Sequence, residues 1–134
     1  MLTIPPNAFS EALLVTANYL DRQLHVNNVV YVQWMQEIAR KHWESIPEKE
    51  HEKNIAWVVR RHEIDYLHEA VLNDLLVIST WTGEHTAVSW TRHCAIIRKS
   101  DGKTITRAKS VWVLVDKKTG KPQRIDESIL NRFQ

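Results

Sequence analysis

"NVVYVQWMQEIARKHWE", Asn28 to Glu44, is the stretch on which the fold turns. Tyr31, Trp34, Met35, Ile38 and His42 recur at steps of three and four, which puts them on one face of an α-helix. Gln33, Gln36, Glu37, Arg40 and Glu44 fall opposite. Val29, Val32, Ala39 and Trp43 widen the apolar arc along one flank and leave a polar stripe narrower than that of an ordinary surface helix. The helix is therefore predicted to be wrapped on more than one side.

The rest of the chain supplies the wrapping. Phe9 to Tyr19 holds Leu13, Leu14, Val15, Thr16 and Tyr19, a β-prone run ending at Asp21, and reads as the first strand. After the helix, Ala56, Val58, Ile64 and Tyr66 alternate with Trp57, Val59, Glu63 and Asp65 at a period of two. "DLLVISTW" (74–81) and "TAVSWTRHCAIIRK" (86–99) are separated by "TGEH" with Gly83, which predicts a hairpin turn there. The Asp101-Gly102 pair predicts a second tight turn before "TITRAKSVWVLVD", which ends at Asp116. "DESILNRF" reads as a short helix capped by Asp126. One strand, one long helix and four strands on short connections imply an antiparallel sheet whose concave face takes the helix, an α+β domain spanning residues 1–134.

Composition narrows the function. The 134 residues, 43% hydrophobic and 25% charged, are those of a folded globular chain. Eighteen basic against sixteen acidic residues leave +2, so no basic footprint for nucleic acid is present. The lone Cys94 excludes an intrachain disulfide and a multi-cysteine metal site. The N-terminal segment has no basic residues ahead of its apolar part, and no apolar run reaches the roughly 18 residues of a membrane span. A cytoplasmic protein is expected. The seven His residues show no ligand spacing, and there is no glycine-rich phosphate loop and no serine nucleophile elbow, so no metal or cofactor is predicted.

The chemistry concentrates just before the helix. "DRQLHVNNVVY", Asp21 to Tyr31, resembles the Asp-x-x-Gly-His-Val-Asn-Asn-x-x-Tyr signature of the 4-hydroxybenzoyl-CoA thioesterase and acyl-ACP thioesterase families, and Glu37, Ala39 and Arg40 continue the likeness. "DLLVI" at 74–78 and "VDKKTGKP" at 115–122 are similar to less specific motifs later in those families. The resemblance implies the hotdog fold, a five-stranded antiparallel sheet wrapped around one long helix. It also implies hydrolysis of an acyl-CoA or acyl-ACP thioester, with coenzyme A or phosphopantetheine entering only as part of the substrate. It further implies a homodimer, or a homotetramer of two dimers, with the active site between subunits. Asp21 and His25 match the signature; Gln23 stands where Asn is usual in the acyl-ACP branch, and Leu24 where Gly is usual.

The residues support a compatible chemistry. A helix N-terminus presents free backbone N–H groups with the favourable end of the dipole, suited to the negative charge that grows on a thioester carbonyl under attack. Asn28 begins the helix, and its N–H or a neighbour's is the candidate oxyanion donor. Asp21 can act as base for water or as nucleophile, and His25 can orient or polarise the substrate or share a proton with Asp21. Asn27 is a substrate contact or a plain helix cap. The acyl group is expected in an apolar slot between the partner subunit and the face bearing Tyr31, Trp34 and Met35. Glu37, on the polar face, is a second candidate acid. The six tryptophans can line a pocket, or fill the core and subunit contacts. The competing function is a hotdog module that binds an acyl thioester without cleaving it; a hydratase is disfavoured because the Asn-Pro pair of that branch is missing.

Overall fold

A computed structural model describes residues 3–134. The elements run β1 (Phe9–Leu14), α1 (Asn28–Glu44), β2 (Ile55–Tyr66), β3 (Leu75–His85), β4 (Ser89–Arg98), β5 (Thr104–Asp116) and α2 (Glu127–Phe133), with 3-10 turns at Ala17–Tyr19 and Glu50–Asn54. The five strands form one antiparallel sheet in the order β1-β3-β4-β5-β2. Its edges are therefore β1 and β2. The sheet curls round α1 in the hotdog arrangement.

Strand parity decides what faces the helix. Successive side chains alternate between sheet faces, so Leu76 and Ile78 on β3, Cys94 and Ile96 on β4 and Ala108 on β5 share the inner face with Tyr31, Trp34, Met35 and Ile38 of α1, forming the main core. A second cluster, Ile55, Trp90, Leu114, Ile125, Ile129 and Phe133, lies at the far end, where α2 folds back onto the sheet. Between the two, α1 packs over β1 and β3.

Helix α1 has the predicted bounds because both ends carry stop signals. Asn27 is its N-cap, its side chain accepting the Val29 N–H at 3.1 Å, and Lys41 and His42 occupy the last turn. Asp126 caps α2 as expected, accepting the Ile129 N–H at 2.9 Å.

Two sequence expectations need correction. The first strand ends at Leu14 rather than Tyr19, because Val15 exchanges backbone hydrogen bonds with Asn73 and Asp74 and the chain then coils through Ala17–Tyr19. The turn expected at "TGEH" is strand: β3 runs on to His85, and the reversal falls at Thr86, Ala87 and Val88. Gly83 serves packing there, since a Cβ would lie 2.6 Å from His93 Nε2. Gly102, in the turn between β4 and β5, has φ 71°, as the Asp-Gly pair predicts.

Candidate active site at the start of α1

The segment from Asp21 to Asn27 is a closed turn. Asp21 donates its N–H to the His25 carbonyl at 2.8 Å, and its own carbonyl accepts the Leu24 N–H at 3.1 Å. Its Oδ1 accepts the N–H of Gln23 at 2.9 Å and of His25 at 3.3 Å. The turn forces φ to 65° at Leu24, the residue in the glycine position, whose side chain is 68% exposed. Oδ2 of Asp21 has no hydrogen-bond partner among the described residues, and Asp21 is half-buried. One carboxylate oxygen holds the turn and the other is free.

At the other end of this segment the helix begins. Asn27 donates its N–H to Tyr19 and accepts from Val29 and Val30, so it is fully engaged as a cap. The Asn28 N–H has no acceptor among the described residues, and Asn28 is exposed. An open donor at a helix N-terminus suits a developing oxyanion.

The His25 imidazole pairs with Glu69 rather than with Asp21. Its Nε2 lies 3.1 Å from Glu69 Oε2, in the loop between β2 and β3. That loop is laced over the turn: Val26 donates to the Ala70 carbonyl at 2.9 Å, His25 and Val71 form an isolated bridge, and Arg98 reaches the Glu69 carbonyl at 3.0 Å and Asp74 at 3.2 Å. Asn73 takes φ 70° within it, as asparagine tolerates. The Tyr31 hydroxyl accepts the Ala70 N–H at 3.2 Å, and burial raises its pKa above the usual phenol value. Tyr31 thus ties helix to loop.

Trp34 and Met35 point into the sheet, each 4% exposed, with Tyr19 edge-on to Trp34 at 5.1 Å. Open volume lies further along the helix, at residues other than Tyr31, Trp34 and Met35. There a cavity of about 650 Å³ is bounded by Gln33, Gln36, Glu37 and Trp43 of α1 and by Trp57, Trp90, Trp112 and Arg92 of the sheet. Glu37, the second candidate acid, is on its wall and exposed. Cys94 is sealed in the core, where burial pushes its thiol up to about 12, so it is no nucleophile.

His51, Glu52 and Asp126 bring three potential metal-donor atoms within 4.8 Å of one another. These groups are already engaged. The buried Glu52 pairs with Arg132 and accepts the Lys49 N–H, while Asp126 caps α2 and meets His51 at 3.0 Å.

Comparison with known proteins fixes the relationship. Residues 6–133 match the acyl-ACP thioesterase N-terminal domain. The chain belongs to that family. Against the long-chain acyl-CoA thioesterase FadM of Escherichia coli it is 28% identical over 125 residues, 90% of this chain and 92% of that one. It is also 28% identical over 82 residues to a chloroplastic palmitoyl-acyl carrier protein thioesterase of Arabidopsis thaliana. That match takes in 61% of this chain but only 20% of the plant protein, so the chain spans about a fifth of the plant relatives it matches. Among solved structures, YbaW of Escherichia coli, a probable thioesterase, superposes with a TM-score of 0.78 at 26% identity, covering 92% of this chain and 94% of that one. A 1,4-dihydroxy-2-naphthoyl-CoA thioesterase from Synechocystis, at 15% identity and a TM-score of 0.82 over 94% and 95% of the two chains, shares the fold.

Within this acyl-ACP thioesterase family member, two features of the site have no signal in the sequence motif. Glu69, the partner of His25, sits in a loop whose local sequence says nothing about which residue it will meet. Arg92, which lines the cavity, and His42, joined to it at 2.8 Å, come from β4 and the last turn of α1. Arg92 is one of several cations on the strands, and the period of β4 could have placed it inward, on the same face as Trp90. Arg98, another strand cation, is held by Asp74 and Asp101.

Proposed function

We propose that the chain hydrolyses acyl thioesters of coenzyme A or acyl carrier protein, with Asp21 assisting the attack of water and the carbonyl held at the start of α1. The observation that carries this reading is the pair of open groups bounding one ordered turn, Asp21 Oδ2 and the Asn28 N–H. As water adds to the thioester carbon, Asp21 takes its proton and the Asn28 N–H receives the charge growing on oxygen; collapse then expels the thiolate. Direct attack by Asp21, giving an anhydride that water opens, uses the same two groups. His25, held by Glu69, orients the thioester. Asn27 caps the helix that carries the donor, and Tyr31, Trp34 and Met35 set where its N-terminus stands; the acyl group is received in the cavity further along α1, at the boundary with a second subunit. The names of the E. coli and plant relatives, a long-chain acyl-CoA thioesterase and palmitoyl-ACP thioesterases, favour long acyl groups.

A thiol-release assay over short, long and aromatic acyl-CoAs, alongside acyl-ACP, tests the proposal. Turnover that rises with acyl length supports it, since each buried methylene is worth about 0.8 kcal/mol when that energy reaches the transition state. Tight binding of acyl-CoA with no thiol released on any substrate would replace it with the non-catalytic binding module.

A further inference from the structure

Arg92 is a half-buried cation without an anion among the described residues. It lies on the inner face of β4, two residues from Trp90, opposite Thr82 on β3 and Ser110 on β5. Its Nη1 donates to His42 Nδ1 at 2.8 Å and to Thr80 Oγ1 at 3.2 Å. Both partners are neutral: His42 is wedged between Phe9, stacked at 5.1 Å, and Phe133, edge-on at 5.4 Å, and burial lowers its pKa to about 4. The Nε and Nη2 groups have no partner among the described residues, and no carboxylate comes within 4.0 Å of the guanidinium. Nor are they sealed off. Among the described residues the buried side-chain polar atoms left without a partner are Thr106 Oγ1 and Trp112 Nε1, so the remaining Arg92 N–H groups keep some exposure, and Arg92 lines the 650 Å³ cavity.

Such an arrangement is unfavourable by itself. Withdrawing a guanidinium from water without a counter-charge costs several kcal/mol, and proteins normally answer with a carboxylate. Here the desolvation is partly in place and the fork is held from one side by His42 and Thr80, leaving its other N–H groups for a bidentate acceptor. The walls nearby are the faces and edges of Trp43, Trp57, Trp90 and Trp112. The carboxylates on the wall, Glu37, Glu44 and Glu48, are exposed on the α1 side, and Glu44 is paired with Arg40 at 2.8 Å.

We propose that this chamber binds an apolar organic carboxylate, its acid group on Arg92 and its body between the tryptophans. If the cavity also receives an acyl group, the ligand is the far end of an acyl thioester that terminates in a carboxylate. Binding itself does not depend on the hydrolytic reading.

Calorimetric titration of the full chain with 4-tert-butylbenzoate and with the neutral 4-tert-butylbenzamide tests it. The acid is expected to bind at least about 10-fold more tightly than the amide, since a charged bidentate pair outweighs a neutral hydrogen bond. The preference should vanish in Arg92→Gln, which retains donors for His42 and Thr80, and survive in reduced form in Arg92→Lys. Equal affinity for acid and amide in the wild-type chain overturns the proposal with no variant needed; that result would also be given by a partner subunit's own carboxylate already occupying Arg92. Acid preference persisting in a folded Arg92→Gln overturns it as well, because the anion then sits elsewhere. A chain that prefers the acid but releases thiol from no acyl-CoA keeps this site and loses the thioesterase.

Discussion

At the scale of single residues, Asp21 does two jobs with two oxygens, and a substitution can separate them. Asp21→Asn keeps an oxygen to accept the Gln23 and His25 N–H groups, so the turn should persist and the thermal midpoint should change little. It removes basicity and nucleophilicity together. Loss of kcat by roughly 10²- to 10⁴-fold with nearly unchanged KM is expected if Asp21 is the base, whereas Glu37→Gln should lose far less. Steady-state kinetics on freshly purified variants decides between them, and the reverse ranking would move the acid onto the helix. Leu24 offers a complementary test of the turn. Its φ of 65° costs an L-residue about 1–2 kcal/mol, and its exposed side chain gains little from burial, so Leu24→Gly should raise or hold the thermal midpoint despite glycine's entropy. That Asp21, His25 and Asn28 stand along one turn at the start of α1 was legible in sequence, because chain connectivity keeps them close. Glu69, Arg92 and His42 were not, since what joins each to its partner is strand pairing and loop closure.

At the scale of elements, periodicity read α1 correctly because cap chemistry and apolar spacing agree at its start and the spacing carries on to about Glu44. It misread β3 because Gly83 looks the same whether it turns the chain or makes room for a neighbour, and only the His93 ring opposite shows which. Two contacts between elements carry measurable consequences. Glu52, 1% exposed, joins the 3-10 turn before β2 to Arg132 of α2. Glu52→Gln preserves the acceptor for Lys49 but strands the cation, so urea denaturation should show a loss of about 3 kcal/mol, at the lower end of what breaking a buried pair costs. His42, joining α1 to β4, makes stability acid-sensitive. Its folded pKa of about 4 lies below the unfolded value near 6.5, because burial and then the Arg92 charge disfavour the imidazolium. The unfolded chain therefore binds more protons between those values, and stability falls as pH drops from about 6.5 to 4 while staying level above. His42→Gln, which retains an acceptor for Arg92 and cannot titrate, should flatten the fall in thermal midpoint over that window. His62 and His93, also lowered by burial, leave a residual slope.

At the scale of the whole molecule, the sheet ends in two unlike edges. β1 has six residues and follows Pro5 and Pro6, whose rings cannot extend a ladder. β2 has twelve, with Val58 51% and Tyr66 44% exposed and β5 on one side only. A long edge with unpaired backbone groups and apolar side chains invites pairing with another chain, and a two-fold axis beside β2 would let a second copy supply the missing neighbour. The same pairing would bring the partner towards the cavity, whose walls include Ile55, Ala56 and Trp57 of β2. A dimer is therefore expected to close the site as well as the sheet. Light scattering at micromolar concentration should give at least twice the mass of one chain. Specific activity, measured after long equilibration at falling concentration, should decline in step with the dimer fraction, because a subunit alone would have its substrate cleft open to water. A chain that scatters as a single copy and keeps full specific activity on dilution would show that the β2 edge is capped some other way and that one subunit holds the whole site.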